Sequence, residues 1–475
     1  MQPMSNQTLY LGSKGARMNA AQSFIHVRPT GGNVFSNSLL KVSLSRFPGL
    51  IGHSTSRVSR RINQDTFSLA MLRNTVFSSD PVLNMSVFDG HGTAESNVAL
   101  KLSHNLHNLL GHMDPRGHLV PQTLFQLLER YRDTFGGDYW ESLYEGREQY
   151  YDRFIRHCNT KQEQVLFDQS NQGTRMLFDH SGNLIDKNSL LNEKQRLKII
   201  SSFLQFDLEQ CCGIPLMESL PRRTAPLDLD EWSLKFPGGS TASSILLSKF
   251  DPSGHPTEDS SLPLVDDQSY LVSPTGLLKL IVTQVGDSKI LICDSNGVAH
   301  SLSRPHHPDQ NREHERLQTR SDLISKDSFG EERFLNNFAN TRSFGDVIGK
   351  RDGISAEPDI YSYLIGNTSQ LPHSEKSKLQ FGGDECFIVM VTDGVSDWLT
   401  DQEIVDLITS TVNLRGLKHA TPQFVADEVI KFIVSIADRH ADNATCLVLR
   451  LSNWGNWPTY DRTGASREQK LLSAI

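Results

Sequence analysis

Apolar positions along this chain follow two rhythms. Short runs rich in β-branched residues recur at 66–71, 82–88, 240–247, 278–285, 289–293, 386–392 and 444–451, and their length and composition predict buried strands. A 3.6-residue spacing instead predicts helices over 94–110, 121–133, 193–212, 402–413 and 422–438. Thr421-Pro422 gives the last of these a start, because proline in the first helical turn gives up no hydrogen bond. Strands and helices come in groups rather than in strict alternation. That grouping predicts an α+β fold, a central antiparallel β-sandwich flanked by helices.

Two stretches interrupt the rhythm. Residues 136–190 are polar, aromatic and turn-rich, and residues 251–275 mix Asp, Ser, Pro and Gly. Both read as insertions, and the segment near 193–212 gives the larger one a helical part. No apolar run approaches the ~18 residues that span a bilayer, so any membrane association would be peripheral.

Charge sharpens this picture. Residues 1–64 hold eight Lys or Arg and no acid, and Asp65 is the first acidic residue. The rest carries 39 bases against 55 acids, a net of −16. A body so acidic offers no general basic face, which argues against nucleic acid as a partner. The acid-free start, rich in Ser, Asn and Arg, has the composition of a mitochondrial targeting segment; a basic tail without that role is the plainer alternative. The cysteines at 158, 211, 212, 293, 386 and 446 form no CxxC pair. Cys293, Cys386 and Cys446 fall inside apolar runs and are expected to be buried thiols.

Candidate chemistry lies where the strands stop. The run ending at Phe88 leads into Asp89-Gly90-His91-Gly92, in which glycines allow a sharp turn that presents a carboxylate and a carbonyl at a sheet edge. Hard divalent cations take such oxygen ligands. One Asp-Gly turn is weak evidence. The punctuation recurs, however, in RRINQD (60–65), VGDSKILIC (285–293, with Asp287 expected in a hairpin turn), VTDGVSD (391–397) and ADNAT (441–445). Five carboxylates at strand ends, beside Gly or Asn, could converge on one edge of a sandwich.

With GGSTASSILL (238–247), TRSFGD (341–346) and ISAEPDI (354–360), these segments resemble, in order, the motifs of the metal-dependent protein serine/threonine phosphatase family, type 2C, over roughly residues 45–452. With the composition of the start, this predicts a basic, acid-free targeting segment over 1–40, a catalytic domain over 41–452 with an insertion at about 115–235, and a tail over 453–475. The resemblance implies two Mg2+ or Mn2+ ions per site. Asp89 would bridge them, with the carbonyl of Gly90 touching the second ion. Asp393 and Asp442 would hold the first, and Asp65 would join the cluster through water. Asp287 and Asp397 would form a third metal position. Arg60 would bind phosphate, its planar fork suiting two phosphoryl oxygens, with Arg61 a surface neighbour. His91 would protonate the leaving oxygen. The implied activity is hydrolysis of phosphoseryl and phosphothreonyl proteins by a metal-activated water.

Other motif residues read as scaffold. His306 and His307 are expected to be structural or surface histidines, and Glu315-Arg316 an ion pair. Gln64 replaces a common Glu and is expected to weaken the second metal. Asp89 and Ser240 stand 151 residues apart, a separation that points to the insertion as a substrate-selecting surface. The alternative reading is a non-catalytic adaptor on the same fold. Segments such as NWGNWPTYDRTG (453–464) resemble the fungal mitochondrial branch of the family, which implies mitochondrial substrates such as pyruvate dehydrogenase E1α and a link to mitophagy.

Overall fold

The computed structural model describes residues 50–111, 121–145, 190–215, 226–250 and 276–474, except positions 74, 79, 94–96, 192, 318–321, 328–329, 370 and 378, together with three short N-terminal strands. Cys158 and most of the 136–190 insertion lie outside the described residues, as do 251–275 and most of the N-terminal segment.

Two antiparallel sheets form the centre. One has the strand order Asp359–Gly366, Leu277–Val285, Ala242–Lys249, Val82–Phe88, Thr66–Leu72, Gln7–Tyr10, Phe24–Val27, Leu40–Ser43. The other runs Ala299–Ser301, Lys289–Cys293, Phe387–Val391, Ala444–Arg450, Ile51–Ser56. Side chains alternate between the two faces of a strand, and here both faces are covered. Leu69, Met85, Ile245 and Val282 meet Ile290, Ile292, Met390 and Leu447 between the sheets. Val389, Val391 and Val448 turn outward onto Ile404, Ile408, Val425 and Val429 of the helices Asp401–Arg415 and Pro422–Ile436. Ala70, Phe88, Leu246 and Ile281 turn the other way, under the helices Val98–Gly111, Pro121–Phe135 and Glu193–Phe206. Burial on both faces explains why the strands read as near-continuous apolar runs. The result is the expected α+β sandwich, with helices outside both sheets.

Helix ends follow local chemistry. Thr400 and Glu403 form a capping box at the start of Asp401–Arg415, and the Thr421 hydroxyl accepts from the Phe424 N–H just before Pro422. The larger insertion contributes Glu193–Phe206, which widens into a π-type turn at Asp207–Cys211. Cys211, Cys212, Cys293, Cys386 and Cys446 are free and buried.

The structure departs from the sequence expectations in several places. Leu277–Val285 and Lys289–Cys293 form no hairpin, because the chain crosses between the sheets at Asp287 and each strand pairs elsewhere. The strands Ile51–Ser56 and Asp359–Gly366 were hidden by polar and aromatic residues that weaken the apolar signal. Arg316 pairs with Glu313, at 2.8 Å, rather than with Glu315, because one helical turn puts positions i and i+3 on the same face. The residues after 452 are docked: Trp454 and Trp457 pack edge-on against Phe387, and Lys470 on the helix Gly464–Ser473 reaches Glu403 at 2.7 Å.

Candidate active site

Strand pairing brings the aspartates together. Thr66 pairs with Phe88, so Asp65 and Asp89, one residue beyond each, share an edge of the first sheet. Val391 pairs with Cys446, which places Asp393 and Asp442 at the corresponding edge of the second. Asp287 lies on the crossing between the sheets. Gly394 permits the approach on the second sheet, since a Cβ there would sit 1.9 Å from the Asn443 carbonyl oxygen. Threonines stitch the edges together. The Thr392 and Thr445 hydroxyls each donate to Asp65 Oδ2 at 2.8 Å, and the Asp89 N–H donates to Thr241 Oγ1 at 3.2 Å.

This concentration of carboxylates has an electrostatic cost. Burial, opposed by the threonine hydrogen bonds, pushes Asp65 up to about 7. Burial and the charges of Asp393 and Asp65 raise Asp89 well above the ordinary carboxyl range. Burial and the charge of Asp287 do the same to Asp393. One oxygen each of Asp65, Asp287 and Asp393 is buried without a hydrogen-bond partner among the described residues. No three His, Cys, Asp or Glu side chains among the described residues already form a metal cage. Even so, oxygen-only donors with unpartnered buried lone pairs and crowded negative charge fit hard divalent cations.

A cleft of about 880 Å³ opens over the cluster. Arg60, Arg61, Gln64, Asp89, Gly90, His91, Asp287, Asp393 and Asp442 line it, with Asn443 and Asp346. Arg60 and Asp442, expected to serve phosphate and metal, engage each other through Nε–Oδ1 at 3.1 Å and Nη2–Oδ2 at 2.7 Å. Both are substantially exposed at 53% and 43%, so the pair is solvent-screened and easily exchanged. The Gln64 amide nitrogen reaches the Gly92 carbonyl at 3.3 Å. Asp397 sits exposed at the edge of the cluster and contributes charge to Asp393.

Two partners in the site go beyond the sequence expectation: Asp346, for which no role is expected, and His307, which is expected to be structural or at the surface. Asp346 Oδ1 lies 2.7 Å from His91 Nε2, and its charge raises the imidazole above its ordinary pKa. Asp346 ends the TRSFGD segment, but a carboxylate in a motif does not reveal which side chain it will face. His307 Nε2 lies 3.0 Å from Asp287 Oδ2. Burial works to raise the Asp287 carboxyl, but the hydrogen bond and charge of His307 hold it below its ordinary value. His306 is structural as expected: it is buried, and its Nδ1 accepts from the Gly286 N–H at 3.0 Å.

Comparison with known proteins points to one family. The family model described as Protein phosphatase 2C matches residues 258–442. Protein phosphatase 2C homolog 4 of Schizosaccharomyces pombe is 26% identical over 91% of this chain and 88% of its own length. Protein phosphatase 1K, mitochondrial, of Xenopus laevis is 29% identical over 38% of this chain, which spans 41% of that relative's length. Probable protein phosphatase 2C 58 of Arabidopsis thaliana is 31% identical over 37% of this chain and 53% of its own length. The chain is thus related to the protein phosphatase 2C family.

Proposed function

We propose that this chain is a Mg2+- or Mn2+-dependent phosphatase of phosphoserine and phosphothreonine in proteins. The observation that carries the proposal is the cluster of buried Asp65 with half-buried Asp89 and Asp393 at the floor of the cleft, with unpartnered oxygens on Asp65 and Asp393 among the described residues, beside Arg60 and His91. Asp65, Asp89, the Gly90 carbonyl, Asp393 and Asp442 would hold two cations, and Asp287 and Asp397 a third. Bound there, such cations supply an activated water at neutral pH and neutralise phosphoryl charge.

The chain's own residues do the rest. Arg60 stands exposed at the rim, where its guanidinium can turn from Asp442 to two phosphoryl oxygens. Asp346 favours the protonated form of His91 and fixes the ring through Nε2, which leaves Nδ1 to carry the proton delivered to the departing seryl or threonyl oxygen. Ser343 donates to Asp346 Oδ2 and holds that carboxylate in turn. The test compares wild type with Asp89→Asn on a phosphoseryl peptide in Mn2+ or Mg2+. Equal rates in the two proteins, or full activity in EDTA, would refute the proposal.

The Arg60–Asp442 pair is the observation that favours a non-catalytic adaptor, because it occupies two functional groups at once. Calorimetry that finds no Mn2+ binding to wild type would decide for it. A mitochondrial location, with pyruvate dehydrogenase E1α as a substrate and a link to mitophagy, is the finer part of the proposal. The location is supported by the acid-free N-terminus and by the mitochondrial name of the Xenopus laevis relative, and the substrate and the mitophagy link rest on the resemblance to the fungal mitochondrial branch. A fluorescent fusion of residues 1–50 that stays in the cytosol would count against it.

A further inference from the structure

Behind His91 lies a buried polar cluster that the proposed chemistry leaves unused. Asp207, in the π-type turn of the insertion, and Lys350 form an ion pair at 2.8 Å with both side chains fully buried. The Tyr131 hydroxyl donates to Asp207 Oδ2 at 2.6 Å, and the Gly345 N–H donates to Asp207 Oδ1 at 2.7 Å. Lys350 Nζ also donates to the Ser343 carbonyl at 3.0 Å. The cluster therefore grips Ser343 and Gly345, the residues on either side of Phe344.

Those residues frame the His91 partner. Phe344–Gly345 pairs with Gly239–Ser240, which in turn pairs with Gly90–His91, so three two-residue strands carry His91 and the segment leading to Asp346. Asp346 follows Gly345 directly and adopts a left-handed backbone, φ 47°. Asp tolerates that conformation better than most non-glycine residues, and its surroundings hold it there. The Asp346 N–H donates to the Gly238 carbonyl at 3.0 Å, and a Cβ on Gly239 would fall 2.3 Å from the Asp346 carboxylate. An unbroken chain of contacts thus runs from Tyr131 and Asp207 through Gly345, Ser343 and Asp346 to His91.

A buried ion pair is poor evidence for stability as such, because apolar residues of similar volume would serve as well. We propose that Asp207 and Lys350 are positioning residues, through which the insertion sets Asp346 and, by way of it, the orientation of His91. The inference rests on the phosphatase reading and on His91 as its acid. It gives the insertion a role in proton delivery, beyond substrate choice.

The leaving group provides the test. A phosphoseryl peptide expels an alkoxide and needs a proton, whereas para-nitrophenyl phosphate expels a stable phenolate and scarcely does. Asp207→Asn, Tyr131→Phe and the apolar double variant Asp207→Leu/Lys350→Met are assayed on both, with His91→Ala as reference. General-acid contributions are about 10²–10⁴-fold. Asp207→Asn and the double variant should therefore lose roughly tenfold or more in kcat on the peptide, with KM little changed and aryl phosphate turnover within about threefold of wild type. Combining Asp207→Asn with His91→Ala should add little to His91→Ala alone. Equal losses on both substrates, no loss on either, or full additivity with His91→Ala would overturn the positioning role. If the double variant does not fold, Tyr131→Phe, which deletes one hydroxyl, decides by the same criteria. A wild type inactive on both substrates would instead overturn the phosphatase reading, and this inference with it.

Discussion

Two groups of buried charge in this protein follow opposite logic. At the sheet edges, Asp65, Asp89 and Asp393 crowd together so that their charges raise one another, and among the described residues one oxygen each of Asp65 and Asp393 goes unpartnered. Under the neighbouring loops, Glu313, Asp359 and Arg342 are more deeply buried than Asp89 and Asp393 but mutually neutralised. Arg342 reaches Glu313 at 2.5 Å and Asp359 at 3.1 Å, and Arg316 reaches Glu313 at 2.8 Å. Burial works against both carboxylates of that second group, yet Arg316 and Arg342 hold Glu313, and His306, with Nε2 3.4 Å away, and Arg342 hold Asp359, below their ordinary values. The difference teaches how to tell geometry from function. Satisfied charge fixes loops, whereas unsatisfied charge at a cleft is kept for something that arrives.

The largest effect is expected where the balanced group is broken. Arg342→Met takes one cation from each of two buried carboxylates, leaving Glu313 with Arg316 and Asp359 with the more exposed Arg312, and should cost about 3 kcal/mol of stability, read from urea or thermal unfolding. The same operation on the unbalanced group should have the opposite sign. Asp89→Asn relieves crowding, so it should raise the melting temperature in EDTA while lowering activity by more than ~100-fold, since even outer-shell partners of metal sites are worth 10–100-fold. If Asp89→Asn destabilised the metal-free protein as Arg342→Met does, the contrast would fail.

Added cation sharpens the comparison further. Mn2+ at a hundred times its dissociation constant should stabilise wild type by about 2.7 kcal/mol. The gain should shrink in Asp89→Asn and persist in a folded variant altered outside the cleft, as calorimetric melts can show.

The smallest effect concerns Glu385, a buried carboxyl far from either group. It accepts from the Gly366 and Gly383 N–H groups at 2.7 and 3.1 Å, but burial pushes it up to about 7. Its folded value lies above the unfolded one, so the folded state retains a proton the unfolded chain has lost. Stability should therefore decline as pH rises from about 4.5 to 7. Glu385→Gln should flatten that slope and gain roughly 1–3 kcal/mol over wild type near pH 8. An unchanged slope would mean that the two backbone N–H groups suffice to hold the charge.

Local pattern determined much of this protein. β-Branched runs fixed the strands 289–293 and 82–88, apolar spacing and the Thr421-Pro422 cap fixed the helix 422–436, and Asp-Gly and Asp-Asn punctuation marked Asp89, Asp393 and Asp442. These signals are legible because they arise within a few residues of backbone and side-chain preference. Tertiary structure alone decided which groups face one another. It sent the strands flanking Asp287 into opposite sheets, turned Asp442 toward Arg60, set His307 against Asp287, and carried Asp207 across 138 residues of sequence to the Gly345 N–H. The reason is physical. Charge–charge and hydrogen-bond energies depend on distance in space and on burial, and neither is set until the sheets close over their core.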